Sequence, residues 1–184
     1  MVGSPLFAHW PGLPLQGRLP SFQPDTMAAV GDTYKSIIFG PWVLRVDAIE
    51  TRQCYRRLKE AQSAMATACE CDPCRNFALV QNEAYPANIV RLFDDLGIDQ
   101  HQPFELSHYS RMPSELHLYG GWHYFCGSID DGPTSLNDVH RVDPRFEVAL
   151  RPVSEPREPF PRSACVQLDF YTEVPWRLAS EEPE

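Results

Sequence analysis

Three thiols fall within six residues, Cys69-Glu70-Cys71-Asp72-Pro73-Cys74. A Cys-x-x-Cys turn lets the backbone aim two sulfurs at one tetrahedral ion, each about 2.3 Å from zinc, and Cys69 can add a third thiolate. Zinc is therefore the expected ion, bound by Cys69, Cys71 and Cys74. A structural zinc site normally takes four protein ligands, and no second Cys-x-x-Cys or histidine pair accompanies the first. The fourth ligand must come from a distant element. Candidates are His123, Cys126, Cys54 and Cys165, with His108, His117 and His101 behind them. His123 and Cys126 differ by an odd number, so in a regular strand they face opposite sides and only one reaches the cluster. We take His123. Iron-sulfur ligation prefers four thiolates at other spacings, and although copper(I) accepts such soft ligands, nothing else in the chain resembles a metal-transfer protein.

A second reading takes Cys71 and Cys74 as a redox dithiol, since a Cys-x-x-Cys bridge is geometrically feasible and a thiolate at a helix start is reactive. Thioredoxin-like enzymes place that motif after a buried strand, whereas residues 61–68 here read as helix. Glu70 and Asp72 would raise the thiol pKa values, with Arg75 alone opposing them.

A third reading rests on Leu116-His-Leu-Tyr-Gly-Gly-Trp-His-Tyr-Phe-Cys126. Two glycines between alternating apolar runs predict a tight hairpin. In that register Tyr119 opposes Trp122 and His117 opposes Tyr124, an aromatic face with a histidine that can stack a small ligand or serve as core. If the chain instead runs straight through, the glycines mark a place where another backbone or a ligand approaches closely.

The elements that must position these residues read as follows. Ile37 to Ala48, broken at Gly40-Pro41, alternates as an early hairpin. Thr51 to Ala68 carries Cys54, Leu58, Ala61, Met65 and Ala68 at helical steps, with Arg52, Arg56, Arg57 and Lys59 on a solvated outer face. The cysteines form a bend after that helix. Pro86 to Gly97 is a second helix, its Ile89, Leu92, Phe93 and Leu96 recurring at i, i+3, i+4 and i+7 between a starting proline and a closing glycine. Strands are expected over 104–109, 116–128, 146–153 and 165–174, with a stiff proline-rich connection at 151–163. Two principal helices, about six strands and connections too short for parallel crossovers predict an α+β fold with a mainly antiparallel sheet and a cysteine-rich bend.

The chain has 184 residues and fits one domain. We divide it into a proline-rich extended arm at 1–30, a single α+β domain at 31–178 and an acidic, frayed tail at 179–184. A formal net charge of −9 repels phosphate backbones and anionic lipid, so neither nucleic acid nor membrane is an expected partner. A protein partner or a second copy of the chain fits the composition. No basic and apolar leader opens the chain, which predicts a cytoplasmic, reducing setting in which cysteines stay free or bind metal. No nucleophile-base pair, phosphate loop or acid pair is evident. The sequence therefore predicts a non-enzymatic, zinc-stabilised binding or interaction module.

Overall fold

The computed structural model describes residues 34–61, 69–180 and 182–183. The expected arm at 1–30, and residues 62–68 of the first expected helix, lie outside them. In chain order come β1 (Lys35–Phe39), β2 (Trp42–Val46), α1 (Ala48–Glu60), α2 (Asp72–Ala84), α3 (Ala87–Leu96), β3 (Glu105–Arg111), β4 (His117–Asp131), β5 (His140–Asp143), β6 (Phe146–Pro152) and β7 (Cys165–Val174). The seven strands form one antiparallel sheet in the order β1-β2-β4-β7-β6-β5, with β3 pairing β4 as well. The fold is α+β, with three helices rather than two and seven strands rather than about six.

The two additions have readable causes. α2 buries Phe77, Val80, Gln81 and Ala84, an i, i+3, i+4, i+7 stripe that the cysteine cluster drew attention away from. β5 is only four residues long, with Val142 its one β-branched residue, so its pairing with β6 comes from the sheet edge it meets rather than from its own alternation.

The expected hairpin at Gly120-Gly121 does not form. β4 continues through both glycines, pairing with β3 on one side and β7 on the other. Space explains these residues: a Cβ on Gly120 would lie 2.8 Å from a ring carbon of Tyr109 and 3.0 Å from one of Tyr171, and one on Gly121 would collide with the Glu105 carbonyl. The glycines admit a close neighbour, the straight-through alternative. In consequence Tyr119 does not oppose Trp122. His117, Tyr119, His123 and Phe125 point to one face of β4 and Trp122 and Tyr124 to the other.

The core lies between α2, α3 and the first of those faces. Phe125 on β4, Leu168 and Phe170 on β7 and Val148 and Leu150 on β6 are completely buried there, brought to one face by the period of two. α3 ends at Gly97, whose φ of +77° is the left-handed cap that glycine adopts without cost. α1 does a different job. β3 stops pairing with β4 at Trp122 and β2 starts at Gly127, leaving buried backbone between them. Side chains of α1 take the place of a strand: the Tyr55 hydroxyl donates to the Tyr124 carbonyl at 3.0 Å and accepts from the Tyr124 N–H at 3.3 Å, while Thr51 Oγ1 accepts from the Cys126 N–H at 2.9 Å. Without them those buried backbone groups would lack partners.

Candidate metal centre

The cysteine cluster opens α2 instead of closing the helix before it. Cys71 is the N-cap, in extended conformation, and its carbonyl accepts the first helical bond from the Arg75 N–H at 3.0 Å. Asp72 and Pro73 follow in the first turn, where an acid meets the positive end of the helix and a proline forfeits no hydrogen bond. Cys71 and Cys74 are thus one turn apart on the same flank, and the chain entering the helix brings Cys69 beside them.

One sulfur from each of Cys69, Cys71 and Cys74 lies within 4.8 Å of the others. The Cys69 and Cys71 sulfurs are 3.1 Å apart. Three sulfurs bound at about 2.3 Å to one tetrahedral ion stand roughly 3.8 Å from each other, so rotations about the side-chain bonds suffice to close the site. Cys69 and Cys71 are exposed and Cys74 is half-buried. The Cys71 backbone N–H and the neighbouring thiols hold the Cys69 thiol below its usual pKa. Burial pushes Cys74 up to about 12, helped by the thiols it faces. A metal ion would have to displace the Cys74 proton, and its own charge supplies the means.

The helix start is pinned from the sheet side. Tyr119 of β4 donates its hydroxyl to the Pro73 carbonyl at 3.1 Å, inside the cluster's own turn. Asn76 is wholly buried and donates to the Tyr119 hydroxyl at 3.4 Å and to the Pro175 carbonyl at 3.1 Å, while its side-chain oxygen accepts from the Arg177 N–H at 2.6 Å. Burial raises the Tyr119 hydroxyl to about 12, so it remains a donor at any physiological pH. Of the aromatic residues considered for ligand stacking, Tyr119 thus orients the cysteine turn. His117 lies beside it, bonded through Nδ1 to His108 Nε2 at 2.9 Å, with Glu182 3.6 Å from its other nitrogen. Trp122 and Tyr124 belong to the opposite face, where Tyr124 packs on Phe104 and Phe160.

His123 stands apart from the sulfurs. Its ring is completely buried among Tyr85, Phe93 and Phe170, with Nε2 3.3 Å from the Tyr85 hydroxyl. That desolvation lowers its pKa to about 3. Cys54 and Cys126 face each other at 4.0 Å between α1 and β4, and Cys165 is the ladder partner of Cys126. Among the described residues, Cys69, Cys71 and Cys74 are the group of His, Cys, Asp or Glu side chains that converges well enough to hold an ion. A pocket of about 410 Å³ opens beside them, with Cys69 and Cys74 in its wall.

Sequence reasoning missed Asn76 and Tyr119 as positioning residues and missed the pocket. The signal was available in Asp72-Pro73 as a helix opening followed by the Phe77, Val80, Gln81, Ala84 stripe. No protein-family model, curated protein or solved structure matches this chain.

Proposed function

We propose that this protein is a non-enzymatic binding module in which Cys69, Cys71 and Cys74 hold a zinc ion that fixes the start of α2. The convergence of the three sulfurs to within 4.8 Å carries the reading. The tyrosine and asparagine bonds that hold the same turn against the sheet support it, because a metal site gains affinity when its ligands are oriented in advance. Zinc is preferred over copper(I) and iron on donor number and availability. The protein would act in a reducing compartment, the cytoplasm, where thiols remain available for metal, and would present the ordered helix start to a protein partner or a second copy of itself. Its acidity disfavours nucleic acid. Protein purified without chelator is expected to carry about one equivalent of zinc. A metal-free product that gains no stability from added zinc would overturn this reading.

The 3.1 Å approach of Cys69 to Cys71 favours one second reading, a thiol redox enzyme or sensor, extending the Cys71–Cys74 dithiol that the spacing suggests. Two thiols would join as a disulfide, releasing two protons and passing two electrons to a disulfide oxidant. Intact mass discriminates: a metal retained until chelation supports the first reading, and a reversible loss of two hydrogens on mild oxidation supports the second.

A further inference from the structure

We infer that the zinc site is open at one position and that this position takes a neutral nitrogen heterocycle, imidazole-like and carrying an apolar body, seated in the adjoining pocket. The inference rests on the metal reading above and names the ligand class of the same site. Two of the three cysteines, Cys69 and Cys74, form part of the wall of the roughly 410 Å³ cavity, so an ion held by the cluster borders that space. Among the described residues no fourth His, Cys, Asp or Glu joins the three sulfurs, and zinc with three protein ligands keeps a position for an incoming donor. The cavity suits a small organic molecule in size. Phe77, Ala78, Pro103 and Leu106 give its wall an apolar part, with Phe77 almost fully buried.

Charge selects the donor. Zinc and three thiolates already sum to one negative charge. Glu70 lies in the pocket wall and Asp72 in the cluster's turn, and Arg75, the cation in that wall, is paired with Asp72 at 3.2 Å. A fourth thiolate or a carboxylate would add a further negative charge to this cluster, which like-charge repulsion opposes. A neutral azole nitrogen adds none, suits zinc as a ligand, and leaves its ring or substituent to cover the apolar wall.

The full chain loaded with cobalt(II) in place of zinc tests this, since the visible absorption of cobalt reports its ligands. 4-Phenylimidazole, imidazole, acetate and 2-mercaptoethanol serve as probes. We expect thiolate-to-cobalt bands on loading and a saturable spectral change with 4-phenylimidazole at a concentration about ten-fold or more below that needed for imidazole, because the phenyl group is buried. Ala78→Trp, a change on the exposed side of α2 that fills the pocket, should keep cobalt and erase the phenyl advantage. Cobalt binding with a spectrum indifferent to both azoles would overturn the inference and leave the metal reading intact. So would acetate or the thiol binding better than imidazole, or an unchanged phenyl preference in Ala78→Trp. Failure to bind cobalt through thiolates would overturn the metal reading and this inference with it.

Discussion

Cys54, Cys126 and Cys165 lie in the interior between α1 and the sheet, whereas Cys69, Cys71 and Cys74 crowd an exposed to half-buried helix start. Both trios bring sulfurs near each other, and in each one thiol is held below its usual pKa by hydrogen bonding while another is raised, so what separates the two is access. In the buried trio the Cys54 and Cys126 sulfurs are 4.0 Å apart, burial pushes Cys165 up to about 12, and Cys126 is raised by its thiol partner and by burial. These groups behave as small hydrophobes. In the outer trio a backbone N–H stabilises one thiolate, solvent reaches the sulfurs and a pocket adjoins them. Proximity of sulfurs alone does not make a site. Access decides.

The sharpest way to break this contrast is reaction with an aromatic disulfide reagent in chelator. Cys69 and Cys71 should label at once, Cys74 more slowly because burial raises its thiol, and Cys54, Cys126 and Cys165 at least roughly a thousand-fold more slowly than the first two, at the rate at which the core opens. Equal reactivity of all six would dissolve the distinction. Zinc should then protect the outer trio alone. At free zinc a thousand-fold above its Kd, binding should add about 4 kcal/mol of stability. For a domain of this size that corresponds to a rise of about 10 °C in Tm.

The acid response should belong to the buried region. His123 has its pKa lowered by burial from 6.5 to about 3, so between those values the unfolded chain binds the proton and the folded one does not. Stability should thus be intact above about pH 6.5 and fall as pH drops toward 3, by roughly 4 to 5 kcal/mol in all. Urea unfolding of chelated protein at several pH values checks this, and His123→Phe should flatten that part of the profile. An unaltered slope in the variant would assign the acid response to other groups. The smallest effect compares single sulfurs. Cys126→Ser should cost about 1 to 3 kcal/mol by burying a hydroxyl and leave zinc content unchanged. Cys71→Ser should lose the zinc while shifting the stability of the metal-free protein by less than about 0.5 kcal/mol.

Much of this was legible in the sequence, and what was not has a common cause. α3 and β7 follow their patterns almost residue for residue, because a proline start, a glycine cap or strict alternation leaves one periodicity available. The cysteine trio was legible by spacing alone. The glycine pair misled because Gly-Gly serves a tight turn and a crowded strand equally, and the rings of Tyr109 and Tyr171 that choose between them come from other strands. His123 could be placed on a strand face but not in its environment: Tyr85, Phe93 and Phe170, distant in sequence, decide that its ring is core. Likewise Asn76 and Tyr119 gain their positioning role from a meeting of α2, β4 and the segment after β7, which no local pattern encodes.

X-ray absorption at the zinc edge of the loaded full chain tests the central claim most directly. The account predicts three sulfur scatterers at about 2.3 Å and one lighter nitrogen or oxygen neighbour near 2.0 to 2.1 Å. A first shell made only of nitrogen and oxygen, or a chain that releases its zinc on simple dialysis, would contradict it.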